Sequence, residues 1–272
     1  MIPGPFEYEV ADSVDQAIQL LGSSDGAKLL AGGHSLVPLM RLRFARPSLL
    51  VDVGRLRELS YVREDGDHVA IGALTRHHDL AGDELLQKRC GIVAHAASLI
   101  GDRQVRHRGT IGGSVAHGDP ASDLPAVLLG LEAELVMRRP DGERAVSAAD
   151  FFRGVFETAL GPQDVLTEVR VPVLAGGWSY LKYRRRSQDW ATVGVAAVQA
   201  DGGARVALTS MGATPLRAAA VEQALAGGAD AASAAEQAAE GTSPPSDTAG
   251  SADYRRHLAT VLVRRALEEA LA

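Results

Sequence analysis

The chain has 272 residues, room for about two domains at roughly 150 residues each. Hydrophobic residues make up 46% and charged residues 23%, with 29 glycines and 12 prolines, which excludes fibrous and collagen-like classes and points to a sizeable core joined by tight turns. A formal net charge of −6 disfavours a nucleic-acid partner, because polyanions are bound by clustered cations.

The opening MIPGPFEYEV lacks the basic and apolar regions of a signal peptide, and no later window nears about 18 consecutive apolar residues. A soluble, cytoplasmic protein with no transmembrane segment is therefore expected. Val14, Ala17, Ile18 and Leu21 recur at helical spacing, and Ser13 with Gln16 as a capping box and Gly22 as a left-handed stop predict a short helix. Residues 28–31 and 49–53 read as brief buried strands, and Asp65-Gly66 as a hairpin turn before a strand at 69–72.

Residues 83–100 suit a helix weakened at Gly91, and a long glycine-rich loop is expected after it. The single cysteine, Cys90, falls in that helix as a small core residue. One thiol can form neither an internal disulfide nor the ligand set of an iron–sulfur cluster, which takes about four. Any redox centre is thus organic or carried by another chain.

Residues 126–130 predict a helical turn, Leu131, Ala133 and Leu135 a half-buried strand, Asp141-Gly142 a turn and residues 165–171 a further strand. Pro172 and Gly176-Gly177 then place a domain boundary, giving residues 1–176, with sub-parts of about 1–55 and 56–176, and residues 177–272. The second part holds three strand-like runs at 179–184, 192–199 and 205–210. An alanine-rich stretch interrupted by Gly227-Gly228 follows, then a final helix with Tyr254, Leu258, Val261, Leu262 and Ala266 on one face. Strands and helices do not alternate strictly, so the class is α+β. Lys182 with Arg184, Arg185 and Arg186 is the densest basic cluster, suited to a ligand phosphate, a partner's acidic patch or a solvated strand end.

Two loops carry the chemistry, Ala31-Gly32-Gly33-His34-Ser35 and Thr110-Ile111-Gly112-Gly113-Ser114. In each, a Gly-Gly pair lets backbone N–H groups converge on an anion while a neighbouring hydroxyl adds a donor. Two such loops suit a pyrophosphate, whereas either alone is more simply a tight turn. The G-x-G-x-x-G and G-x-x-x-x-G-K-[ST] patterns are absent, and neither loop completes G-x-S-x-G, since Ser35 is followed by Leu36-Val37 and Ser114 by Val115-Ala116. His117, Asp119 and Asp123 offer metal ligands or, more simply, carboxylates that cap turns or bond sugar hydroxyls. His77-His78-Asp79 reads as polar residues at a helix start.

The first loop continued by Leu36-Val37-Pro38-Leu39-Met40-Arg41-Leu42-Arg43, then Leu50-Val51-Asp52-Val53, then the second loop with Asp119-Pro120 and Asp123-Leu124-Pro125, resembles a known family in this order. It is the FAD-binding medium subunit of the molybdenum hydroxylases, which includes the flavoprotein subunits of aerobic carbon monoxide dehydrogenase and xanthine-dehydrogenase-type enzymes. The likeness covers essentially the whole chain. It implies a two-part, PCMH-type FAD-binding domain and a smaller C-terminal domain with a three-stranded antiparallel sheet and helices.

It further implies FAD as cofactor, its pyrophosphate on Ala31, Gly32, Gly33, His34 and Ser35 and on Thr110, Ile111, Gly112, Gly113 and Ser114. Asp123 would bond the ribose of the adenosine half, Leu166 and Lys182 would approach the flavin, and Trp190 would lie near the isoalloxazine. No side chain is expected to be catalytic and no metal to be bound. The family's second loop commonly ends Gly-Gly-Asn; Ser114 keeps a hydroxyl and loses the amide's second group. With no cluster ligands in the chain, the resemblance implies an electron-transfer subunit served by a small [2Fe–2S] subunit and a large molybdenum-cofactor subunit. Reduced FAD would pass electrons to an external acceptor such as NAD, a quinone or oxygen. A stand-alone flavin oxidoreductase and a non-catalytic nucleotide-binding assembly module remain as alternatives.

Overall fold

The structure, a computed structural model, describes residues 2–201 and 203–272. Its first layer comprises β1 (Glu7–Val10), α1 (Val14–Ser23), β2 (Lys28–Leu30), α2 (Leu36–Arg41) and β3 (Leu49–Asp52). The three strands are parallel with β3 central, Glu7 opposite Leu49 and Lys28 opposite Leu50. Parallel neighbours need crossovers, which α1 and α2 supply. Ser13 caps α1, its hydroxyl accepting from the Gln16 N–H at 3.1 Å, and Gln16 in turn accepts from the Asp12 N–H at 2.6 Å. The helix runs through Gly22 to Ser23, and the left-handed glycine is Gly26, at φ +81°. Ala17, Ile18 and Leu21 pack beneath Leu49 and Val51.

The second layer contains β4 (Val62–Asp65), β5 (His68–Gly72), α3 (His77–Gly82), α4 (Glu84–Ser98), α5 (Arg103–Arg108), α6 (Ile111–His117) and α7 (Asp123–Gly130). After these come β6 (Glu134–Arg139), β7 (Gly142–Ser147), α8 (Ala148–Phe151), the short hairpin β8 (Phe152–Gly154) and β9 (Glu157–Thr158), and β10 (Val165–Pro172). The antiparallel sheet runs β4-β5-β10-β6-β7. Its central strand is buried at all but two of its eight positions, as a strand covered on both faces must be. Gly66 and Gly142 turn the two Asp-Gly hairpins with positive φ.

α4 breaks at Cys90 (φ −151°, ψ 60°). Next to it, a Cβ on Gly91 would come 2.7 Å from the Trp178 ring, so glycine is there for close approach. The long loop expected after residue 100 instead folds into α5 and α6. Caps nucleate both: Asp102 accepts from the Val105 N–H at 2.8 Å and Thr110 from the Gly113 N–H at 3.1 Å. Helices of one or two turns show too little periodicity to read from sequence.

The last portion comprises β11 (Trp178–Tyr183), β12 (Val193–Ala200), β13 (Gly203–Thr209), β14 (Leu216–Arg217), α9 (Ala219–Ala226), α10 (Ala231–Ala235) and α11 (Ala252–Ala270). Its antiparallel sheet has four strands rather than the three expected, because β14 adds a two-residue edge too short to alternate. The buried face of α11 begins at Arg255, not Tyr254, and continues through Leu258, Ala259, Leu262, Val263 and Ala266. Arg255 is neutralised by Asp247 at 2.7 and 2.8 Å, while Tyr254 points outward to the Tyr183 hydroxyl at 2.9 Å.

β11 is tied to the start of α7 by a buried ion pair. Lys182 Nζ lies 2.7 Å from Asp123 Oδ2 and 3.2 Å from the Leu99 carbonyl, and Tyr180 donates to Asp123 Oδ1 at 2.5 Å. Both charged side chains are only 2% exposed. Removing one partner of such a pair strands the other charge, which costs about 3–5 kcal/mol, whereas removing both is nearly neutral. Lys182→Met is therefore expected to lower unfolding free energy in urea by that amount, and Asp123→Asn added to it to restore a large part. Equal stability of Lys182→Met and the parent would contradict the pair's place in the joint.

Candidate functional site

A cavity of about 550 Å³ opens at the carboxyl ends of β2 and β3, where loops diverge and ligands of parallel sheets commonly bind. Ala31, Gly32, Gly33 and His34 follow β2; Asp52, Gly54 and Arg55 end β3; Arg76 and Arg108 reach in from the second layer. Asp52 is the one lining carboxylate, and it already accepts from the Tyr8 hydroxyl at 2.5 Å and the Gly54 N–H at 2.7 Å. Three guanidinium groups against one bonded carboxylate leave the cavity net positive, suited to an anion carrying more than one charge.

The first loop is shaped for that role. Gly33 sits at φ +74°, where a side chain is strained, and a Cβ on Gly32 would overlap the Arg108 carbonyl. Among the described residues, the N–H groups of Gly32, Gly33 and His34 have no acceptor within the protein. His34 Nδ1 bonds the Gly32 carbonyl at 3.1 Å, which folds the ring back over its own loop. Ser35 occupies the cap position of α2 without making a side-chain capping bond.

The second loop is built differently. Its amides are engaged: Ile111 N–H to the Thr75 carbonyl at 3.1 Å, Gly112 to Ala73 at 2.8 Å, Ser114 to Thr110 at 3.0 Å, and Gly113 to the Thr110 hydroxyl. Gly112 is a packing glycine, since a Cβ would lie 2.6 Å from that of Ala73. The pairing continues outward, with His77 N–H to the Gly109 carbonyl at 3.0 Å and Arg76 donating to the Arg108 carbonyl. Gly32 of the first loop thus packs on Arg108-Gly109, the residues that lead into the second.

The other expected residues lie away from the cavity. Ser114 Oγ is 2.9 Å from Ser122 Oγ, and Ser122 precedes Asp123, so the second loop leads by direct contacts to the Asp123–Lys182 pair. Both Asp123 oxygens are occupied there, and burial raises its carboxyl pKa against the opposing pull of Lys182 and Tyr180. Leu166 lies in the core opposite Met137, beside a bulge in β10. Trp190 is 54% exposed beyond the end of β11. No sequence motif marks Arg55, Arg76 or Arg108. Their common signal is an arginine beside a strand end or glycine loop, too frequent to stand out without coordinates.

Cys90 is inert: burial pushes its thiol up to about 12. Buried His77, beneath Gly109, has no partner for Nδ1. Burial, with the Arg106, Arg76 and His34 charges around it, holds its imidazole down at about 4. Between the ordinary histidine value of about 6.5 and about 4, the unfolded chain takes up a proton that the folded one refuses, so stability falls as pH falls. The contribution is on the order of 3 kcal/mol. His77→Leu is expected to flatten the acid side of a melting-temperature profile across that window; an unchanged slope would contradict it.

Residues 4–174 match the family model for the FAD binding domain in molybdopterin dehydrogenase, and residues 178–270 that for the CO dehydrogenase flavoprotein C-terminal domain. The carbon monoxide dehydrogenase medium chain of Hydrogenophaga pseudoflava is 44% identical over 284 residues, covering 100% of this chain and 99% of its own. The glyceraldehyde dehydrogenase medium chain of Sulfolobus acidocaldarius is 38% identical over 282 residues, covering 99% of each. A solved carbon monoxide dehydrogenase from Hydrogenophaga pseudoflava, lacking the Mo-pyranopterin moiety of its molybdenum cofactor, superposes with a TM-score of 0.95 at 46% identity, covering 100% of this chain and 99% of the other. Among the described residues no helix is long and apolar enough to cross a membrane. Two family models in tandem and relatives alike over their full length lead to one conclusion: the chain belongs to the FAD-binding medium subunits of the molybdenum hydroxylases.

Proposed function

We propose that this chain holds FAD with its pyrophosphate on the first loop and serves as the electron-relay subunit of a heteromeric, cytoplasmic molybdenum hydroxylase. The observation that carries the reading is the cavity floor, with free amides at Gly32, Gly33 and His34 beneath three guanidinium groups. These residues fit a diphosphate: the amides donate to its oxygens and Arg55, Arg76 and Arg108 balance its charge. Thr110, Ile111, Gly112, Gly113 and Ser114 make the rigid wall behind it. We assign Asp123 and Lys182, with Leu166 and Trp190, to the ribose and flavin end, reached along the second loop through Ser114 and Ser122. On this reading the chain divides near residue 176 into a cofactor-holding part and a part that closes over the flavin.

When bound, FAD supplies a two-electron store that a partner's [2Fe–2S] clusters fill and an external acceptor such as NAD, a quinone or oxygen empties. This chain orients the cofactor and shields it from water, and its one thiol cannot ligate a cluster. Its relatives are named as medium chains, which supports separate small [2Fe–2S] and large molybdenum-cofactor subunits.

Isolating the complex through a tag on this chain and assaying flavin, iron and molybdenum together is expected to return all three; a complex without extractable FAD would overturn the reading. Within that complex, Gly33→Val, which strains the loop backbone at φ +74° and stays clear of the Arg108 contact, is expected to weaken FAD retention by more than about tenfold, or above about 1.4 kcal/mol. Ser114→Ala should retain near-parent flavin, and equal occupancy in both variants would remove the first loop from its assigned role.

A further inference from the structure

His34 supplies the one imidazole of the cavity lining, and its two nitrogens are not equivalent. Nδ1 lies 3.1 Å from the Gly32 carbonyl, and a carbonyl can only accept, so Nδ1 carries a hydrogen. Among the described residues no hydrogen bond reaches Nε2. In the neutral ring Nε2 is then a bare lone pair, the wrong group to face an anion, and only the imidazolium offers a second N–H. The side chain is exposed, so solvent can deliver that proton.

The charges around His34 set the direction of the coupling. Arg55 beyond β3, Arg76 before α3 and Arg108 at the end of α5 share the cavity with it, and Asp52, already bonded to Tyr8 and to the Gly54 N–H, is the opposing charge. Buried His77, held down at about 4 by burial and by the Arg106, Arg76 and His34 charges, takes up no proton in the neutral range. His78 and His107 stack on each other at 4.0 Å and are not part of the cavity lining. By themselves the three guanidinium charges oppose a further cation on His34; a diphosphate set among them outweighs that opposition.

We infer that His34 couples FAD binding to proton uptake: Nε2 takes a proton from solvent as the diphosphate enters, and the resulting N–H donates to a phosphate oxygen. This inference rests on the FAD reading above. Binding that consumes a proton weakens as pH rises, by at most about tenfold in Kd per pH unit for one group. Esterified at both ends, the diphosphate of FAD keeps its charge through the neutral range, so the ligand adds no titration of its own. The arginines supply affinity that does not change with pH, and His34 supplies the part that does.

The test is equilibrium dialysis of the native complex, isolated through a tag on this chain, from about pH 6 to about pH 8 at one ionic strength, with bound FAD as readout. The parent's affinity for FAD is expected to fall by roughly tenfold over that span. His34→Gln keeps an amide N–H for the Gly32 carbonyl and cannot take up a proton, so its affinity should stay even at the parent's weaker, alkaline level. His34→Lys, a permanent cation in this range, should stay even at the tighter level. A parent affinity that does not fall with pH, or a His34→Gln profile as steep as the parent's, would overturn the coupling and leave the FAD reading standing. A parent complex without FAD at any pH would instead remove the FAD reading itself.

Discussion

The arrangement depends on one backbone pairing, in which residues 73–77 hydrogen-bond along residues 109–112, and the Arg76 guanidinium adds a bond to the Arg108 carbonyl. This pairing uses the amides of Ile111 and Gly112 for structure and pulls the Arg108 carbonyl to the rim of the second layer. There it meets Gly32, and no larger residue fits between them. The loop after β2 is thereby seated against the second layer, and the cavity is the space left where the loops part. Arg76 belongs to both sides of this contact: its backbone bridges to Thr110 and its guanidinium lines the cavity. Anion binding and the joining of the two layers are one construction.

A second joint extends that construction to the C-terminal sheet. Ser114 touches Ser122, Ser122 precedes Asp123, and Asp123 is buried against Lys182 and Tyr180. Burying an ion pair gains little net stability, because desolvation offsets the attraction. Its value is geometric, since Lys182 has a low-energy place only when β11 sits in one register over α7. The contacts therefore run unbroken from the first loop to the last sheet, a distribution that suits a ligand longer than the cavity alone.

Much of this was legible in the chain. Ser13 and Gln16 marked the start of α1, the Asp-Gly pairs marked both hairpins, and Gly91 was visible as a weak point of α4, where the structure places Trp178 against it. Local chemistry acts over three or four residues in these cases, so sequence spacing suffices. Elements too short to repeat a period escape: α5 and α6, each under two turns and set by single caps, and β14, set by pairing to β13. In the last helix Leu258, Leu262 and Ala266 lie on the buried face as their spacing predicts, whereas that face starts at Arg255 rather than Tyr254 because Asp247 neutralises the guanidinium. The loops themselves were recognised as a pair, yet their difference was not. Whether a glycine amide is free or already bonded depends on residues 73–77, and the three arginines converge from positions 55, 76 and 108. Those are tertiary facts without a local signature.

The division of labour between the loops is the central claim, and amide hydrogen exchange measured before and after FAD loading tests it most directly. Free amides exchange quickly and acquire protection only when a ligand accepts from them. Gly32, Gly33 and His34 should pass from fast to strongly slowed exchange on loading, while Ile111, Gly112, Gly113 and Ser114, already bonded, should change little. Slowing confined to residues 111–114, with residues 32–34 still fast, would contradict the account.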